Sequence, residues 1–168
     1  LLSSSPVDDA TSITTSSNIV LTFSEAVAKG TGNIVIYKSS DDSAVETFDV
    51  ASSTLVTGTG TNTITINPTS DLAEQTSYYV QIAATAFDDS SSNSYAGISD
   101  TTSLSFTTAD ETAPTISSFT YKDRIKGLTS LTQDEEATEV ETNSNFVFNF
   151  SEAVDAETGN IVIYKVSD

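Results

Sequence analysis

The sequence predicts an all-β protein: a two-sheet Greek-key β-sandwich of about seven strands, followed by the first part of a second tandem copy. Three observations predict it. Apolar and polar residues alternate over short runs, turn-forming clusters separate those runs at regular intervals, and one block of sequence recurs at a fixed offset. No stretch carries the 3.6-residue period of an amphipathic helix.

The strands follow in order. Leu1 to Ser5 reads as an edge strand. Ile19, Leu21 and Phe23 share one face of the next, with Val20 and Thr22 on the other. Asn33 to Lys38 and Ala44 to Val50 follow, joined by the turn residues Asp41-Asp42-Ser43. Thr63 to Asn67 directs Ile64 and Ile66 inward, Ser77 to Ala84 directs Tyr78, Val80 and Ile82 inward, and Ser103 to Thr108 directs Leu104 and Phe106 inward. Gly58-Thr-Gly60 reads as a hairpin turn, since neither a lysine nor a helix follows as a phosphate cradle requires. Leu72-Ala-Glu-Gln-Thr-Ser-Tyr78 has the spacing of a tyrosine corner, in which the phenol at the start of a late strand bonds back to the preceding loop.

The repeat is the strongest signal. Asn18-Ile-Val-Leu-Thr-Phe-Ser-Glu-Ala-Val27 recurs as Asn145-Phe-Val-Phe-Asn-Phe-Ser-Glu-Ala-Val154, and Thr31-Gly-Asn-Ile-Val-Ile-Tyr-Lys38 recurs unchanged as Thr158 to Lys165. Both blocks share the offset 165 − 38 = 127. This divides the chain into a sandwich over 1–109, an acidic linker over 110–114 and an incomplete second repeat over 115–168. Half a sandwich cannot bury its own inward face, so the second copy is expected to be truncated or to be closed by strands of a neighbouring chain.

Composition excludes whole classes of chemistry. The chain has no His, Cys, Met or Trp. There is therefore no Ser-His-Asp triad, no Cys nucleophile, no zinc finger, and no haem or iron–sulfur ligation. With 24 Asp plus Glu against 6 Lys plus Arg, the formal net charge is −18. Such a chain repels polyanions, so nucleic acid is excluded as a partner, as is an anionic membrane surface. No run is long enough to insert into a bilayer. Hard oxygen ligands are abundant, and they select Ca²⁺ or Mg²⁺. The competing reading of the same charge is a solvated acidic surface that keeps the protein soluble.

These residues resemble the bacterial Ig-like domains of S-layer proteins and repeat-containing surface adhesins. The resemblance is carried by Ser-Pro-Val-Asp-Asp-Ala-Thr (5–11), Leu-Thr-Phe-Ser-Glu-Ala-Val (21–27), Gly32-Asn-Ile-Val-Ile36, the stretch from Asn67-Pro68 to Tyr79, Ala86-Phe-Asp88 with Tyr95-Ala-Gly-Ile98, Phe106-Thr-Thr108 and Asp110-Glu-Thr-Ala-Pro114. It implies a non-catalytic module at the cell surface or outside the cell, strung in arrays as a rod, filament or surface layer. Calcium near domain junctions stiffens many such arrays. The partners it implies are further copies of the same repeat, in the same or a neighbouring chain, and a cell-surface or glycan ligand. Two features depart from the pattern: Asp88-Asp-Ser-Ser-Ser-Asn93 replaces the usual turn, and the second copy begins with extra residues carrying Lys122, Arg124 and Lys126.

Alternating strand direction assigns the acids to two poles. Asp8, Asp9, Asp41, Asp42, Asp71, Glu74, Asp110 and Glu111 are expected at one, where the second copy would contribute Glu152 and Asp155. Glu25, Asp88, Asp89, Asn93 and Asp100 are expected at the other. Carboxylates converging within several ångströms repel by about 1 kcal/mol per pair near a surface, and Ca²⁺ with 6–8 oxygen ligands reverses that term. Glu25 and Glu152 occupy equivalent repeat positions, which suits structural reuse better than a glycosidase acid. The alternative function is a carbohydrate-binding or other ligand-binding accessory module. It lacks Trp for sugar stacking, and its outward aromatics, Tyr37, Tyr79 and Tyr95, form no evident row.

Overall fold

A computed structural model of the chain describes residues 1–123, 127–131 and 145–164. Two compact units are present, Leu1–Glu111 and Thr112–Asp168. All secondary structure among the described residues is β, as the alternation predicts.

Unit 1 is a sandwich of two five-stranded sheets. The first runs β1 (Ser3–Ser5), β3 (Ile19–Lys29), β7 (Thr61–Ile66) and β6 (Val56–Thr57), with β9 (Phe87–Asp88) on the far end of β3. The second runs β2 (Ala10–Ile13), β10 (Ser105–Thr108), β8 (Ser77–Ile82), β4 (Asn33–Lys38) and β5 (Ser43–Asp49). Every pairing is antiparallel except that of β2 with β10.

The core lies between the sheets because the pleat sends alternate side chains to one face. Ile19, Leu21 and Phe23 of β3 meet Ile64 and Ile66 of β7 across the layer from Ile34 and Ile36 of β4 and Tyr78, Val80 and Ile82 of β8, all buried. Each fully buried aliphatic or aromatic side chain contributes about 1.5–3 kcal/mol of transfer free energy. Phe87 closes the far end, with its ring 5.4 Å from that of Phe23.

The structure carries ten strands in unit 1 where the sequence predicts about seven. The additions are short. β6 and β9 have two residues each, too few for a period to register. β2 matters more, because it lies beyond the expected edge strand of Leu1 to Ser5, in a stretch for which no strand is expected, and belongs to the other sheet. The chain pairs with β3 over Ser3–Ser5, passes the cis Ser5–Pro6 bond, and joins the other sheet alongside β10 at Ala10. Midway along β3, the register jumps from Thr22↔Thr63 to Val27↔Thr61, so Ser24, Glu25 and Ala26 bulge outward and are exposed.

Unit 2 is a three-stranded antiparallel sheet, β12 (Gly127–Leu131), β11 (Ile116–Asp123) and β13 (Asn145–Phe150), in the order β12-β11-β13. β13 is the repeat of the start of β3. The strand expected at Asn160 to Lys165 does not form over its described part, 160–164. The same residues in unit 1 are a strand because β5 and β8 flank them, whereas nothing in unit 2 pairs with the copy among the described residues. Arg124, Lys126, Lys165 and the closing residue of the repeat lie outside the described residues.

Candidate functional site

The loops at the end of unit 1 from which the chain leaves hold each other through backbone bonds. Leu72 N–H donates to the Thr15 carbonyl at 3.0 Å, Gln75 N–H to the Ala109 carbonyl at 3.1 Å, and Ser39 N–H to the Ser77 carbonyl at 2.9 Å. The predicted tyrosine corner is present: the Ala73 N–H donates to the Tyr78 hydroxyl oxygen at 3.0 Å. These bonds gather Asp41, Asp42, Asp71, Glu74, Asp110 and Glu111 at one end. Asp41, Asp42, Asp110 and Glu111 each accept from a neighbouring donor. Thr15 Oγ1 donates to Glu111 at 2.6 Å, Gln75 Nε2 donates to Asp110, and the Ser43 hydroxyl and N–H both donate to Asp41. The Ser43 bonds hold the Asp41 carboxyl below its ordinary range, and the Tyr79 hydroxyl donates to Asp42 at 3.1 Å.

Asp8 and Asp9 stand elsewhere. Both accept from the Ser105 hydroxyl, at 3.0 and 2.9 Å, and Asp8 also accepts the Ser105 N–H. Ser105 begins β10, while Asp110 and Glu111 follow its end. The expectation that Asp8 and Asp9 share the exit end is therefore corrected. The reason is the sheet switch: β2 runs parallel to β10, so the turn before β2 lies beside the start of β10.

At the other end, Glu25, Asp89, Asn93, Ser94 and Tyr95 line one open cleft with Phe23 and Phe87 at its floor. The β3 bulge delivers Glu25 to it. Asp89 caps its own loop, accepting from the N–H groups of Ser91 and Asn93 and from Asn93 Nδ2, each at 2.8 Å, and its carboxyl is held down chiefly by Asn93. Asp88 accepts from the Ser94 hydroxyl. Asp100 accepts from Ser103 Oγ and from the N–H groups of Ser103 and Thr102, which lower its pKa to about 2.

In unit 2, Glu152 is half-buried and Asp155 exposed, both just beyond β13. Among the described residues no three carboxylates converge closely enough to form a metal-binding group. Sequence reasoning placed the acids by loop but missed the Ser, Thr and Gln donors that hold them. Short-range pairs such as Asp41-x-Ser43 were legible signals, whereas Thr15 with Glu111, 96 positions apart, left none.

The aromatics of unit 1 bear on sugar recognition. Tyr37 and Tyr79 stack on each other at 5.0 Å and 14°, with Tyr79 buried, and Tyr95 meets the Phe23 ring edge-on at 5.3 Å. Each of these three rings is thus engaged with another ring of unit 1.

Residues 1–108 match the family model of the bacterial Ig-like domain. The chain belongs to this family. The match spans the sandwich from β1 to the end of β10. Domains of the bacterial Ig-like family occur in bacterial surface proteins and are generally non-catalytic. Comparison with curated proteins and with solved structures finds no match. No helix of the described residues is long and apolar enough to cross a membrane.

Proposed function

We propose that the chain is a non-catalytic, extracellular structural and adhesive repeat module, whose array forms a rod, filament or surface layer and is stiffened by calcium. The observation that carries this reading is the repeat itself: a bacterial Ig-like unit is followed, at an offset of 127 residues, by a second copy of its Ser-Glu-Ala-Val block and its Thr-Gly-Asn-Ile-Val-Ile-Tyr-Lys block. A catalytic site has no reason to recur with its scaffold. A spacer gains length by it. Further copies of the repeat are its partners, with a cell-surface ligand at the adhesive end, and neither nucleic acid nor membrane is among them.

Calcium is assigned to the exit end of unit 1, where Asp71, Glu74, Asp110 and Glu111 share loops with many carbonyl and hydroxyl oxygens. With at most two carboxylates available to each ion, the affinity falls in the weak class of extracellular modules, about 10⁻⁴–10⁻³ M. At roughly tenfold excess over the dissociation constant, binding adds about 1.4 kcal/mol to unfolding, which raises the melting temperature by about 6–8 °C for a domain of this size. The test compares melting curves and small-angle scattering in calcium and in EDTA. D110N/E111Q should lose the calcium response, read in the variant as the difference between its calcium and EDTA melting temperatures, because both residues also accept from Gln75 and Thr15 and their substitution lowers the baseline. Identical curves and dimensions in the two conditions overturn the calcium assignment.

A further inference from the structure

The chain leaves unit 1 through residues that are tied down one after another. Ala109 is held by two backbone bonds: its N–H donates to the Ile13 carbonyl at 2.7 Å, and its carbonyl accepts the Gln75 N–H at 3.1 Å. Gln75 Nε2 then donates to Asp110, and Thr15 engages both carboxylate oxygens of Glu111, one with its hydroxyl at 2.6 Å and the other with its N–H at 3.3 Å. Thr15 is only 7% exposed. A hydroxyl so placed needs an acceptor, because a buried donor left unsatisfied costs more than an ordinary hydrogen bond contributes. The acceptor is the second residue of the linker. In the sequence, Thr15 recurs 127 positions later as Thr142, while Thr14 and Ser16 on either side give way to Glu141 and Asn143. The donor therefore belongs to the repeat, retained where its neighbours differ.

Within unit 2, a matching tie falls at Thr115. Its N–H donates to Ser151 Oγ at 3.0 Å, and its carbonyl accepts the Ser151 N–H at 2.8 Å. Ser151 opens the Ser-Glu-Ala-Val block that unit 1 carries at Ser24. Thr112, Ala113 and Pro114 lie between the two ties. Three residues reach about 10 Å at full extension. Pro114 fixes its own φ, and its ring restricts Ala113 to extended backbone.

We propose that Thr15 and Ser151 clamp the two ends of the linker: Thr15 makes Asp110 and Glu111 part of the rigid body of unit 1, Ser151 makes Thr115 part of unit 2, and any bending is confined to residues 112–114. The acidic residues of the linker are thus latches, each spent on a donor of unit 1. Every residue removed from a coil removes two soft dihedrals from the joint, so the clamps shorten a five-residue linker to three, one of them proline. The inference deepens the proposed array and rests on it for the purpose of the joint, but the clamps need neither calcium nor an adhesive ligand.

The test measures backbone amide relaxation on the full chain in EDTA. Asp110, Glu111 and Thr115 should show order parameters of about 0.85, the value of rigid backbone. T15V keeps the shape of the side chain and loses the hydroxyl; it should lower Asp110 and Glu111 toward about 0.6 and leave Thr115 unchanged, whereas S151A should do the reverse. Unaltered amides in β8 and β10 check that unit 1 stays folded. A glutamate-specific protease gives a second reading that needs no variant. Cleavage after Glu111 should be at least about tenfold slower than after Glu157, which is exposed and lies outside any strand. Three results overturn the proposal: order parameters below about 0.6 at Asp110 and Glu111 in the unaltered chain, cleavage after Glu111 as fast as after Glu157, or a T15V linker as rigid as the original. Because calcium is absent throughout, a mobile linker in a chain that still responds to calcium sinks the clamps alone.

Discussion

Replacing Tyr78 with Phe tests whether the tyrosine corner holds the exit end of unit 1. The substitution removes one oxygen and nothing else. The ring is 2% exposed and packs against Phe106 with centroids 5.8 Å apart, so the volume is retained and no cavity opens. What changes is the Ala73 N–H, which loses its acceptor at 3.0 Å in a partly buried loop. An intramolecular hydrogen bond contributes about 1 kcal/mol net, and stranding a buried donor costs about 1–3 kcal/mol. Partial solvent access at Ala73 favours the lower half, about 1–2 kcal/mol. For a sandwich of this length that corresponds to a fall of roughly 4–12 °C in melting temperature. The adjacent residue is an internal control. Tyr79 donates to Asp42, an exposed carboxylate that water can serve as well, so Y79F should cost no more than about 0.5 kcal/mol. Calorimetry of the unit 1 transition in both variants decides the matter. If Y78F melts no lower than Y79F, the hydroxyl does not pin the loop and the reasoning fails.

Two further outcomes follow from loop geometry. Gly97 sits at φ +77°, and a Cβ there would stand 2.4 Å from the Ile82 carbonyl oxygen and 2.8 Å from the Ala84 nitrogen, both backbone atoms. G97A should therefore part the reciprocal Ile82–Ile98 bonds and cost at least about 2 kcal/mol, and a neutral melt would refute the close approach. Asp100 has its pKa lowered from 3.8 to about 2 by Ser103 and Thr102. The unfolded chain then binds more protons between those values, so the stability it contributes is complete above pH 3.8 and is lost as the pH falls toward 2. In a series of melts at decreasing pH, D100N should flatten the fall in melting temperature across that window, and an unaltered slope would show the turn to be idle.

Where the sequence could be read, side-chain alternation carried the reading. Asn33–Lys38 has the same bounds in expectation and in structure, and β3, β5, β7, β8 and β10 begin within two residues of their expected starts. β2 escaped because Ala10-Thr-Ser-Ile13 offers only two half-buried apolar residues at a sheet edge, too weak a pattern to separate from the turn before it. Its parallel pairing with β10 is what carries Asp8 and Asp9 to Ser105, a long-range placement that local sequence does not encode. The misplaced strand at 160–164 teaches more. Six residues of the octapeptide, Asn33–Lys38, form a strand with buried Ile34 and Ile36 in unit 1, whereas 160–164 in unit 2 are exposed and pair with nothing among the described residues. Strand propensity is thus secondary to the neighbours that supply ladder bonds and a face to bury.

The charge and the hydroxyl content of the chain belong to one arrangement. With 24 acids and 6 basic residues, cations cannot satisfy most carboxylates. Ser and Thr, about a third of the sequence, serve several of them instead, through bonds from Thr15, Ser43, Ser94, Ser103 and Ser105, together with loop N–H groups. Hydroxyl and amide dipoles act over one bond length, so they fix these carboxylates either in their own turn, as at Asp41, Asp89 and Asp100, or against a neighbouring segment, as at Asp8, Asp9 and Glu111, and leave the charge in place. The fold can therefore keep a net charge of −18 without relying on screened surface ion pairs, which contribute little in any case. The same economy limits cation binding within unit 1: an Asp already accepting two or three local donors is oriented toward its own loop. A closed cage of carboxylates is therefore absent among the described residues, and any cation that approached these loops would meet carboxylates already turned toward their hydrogen-bond donors.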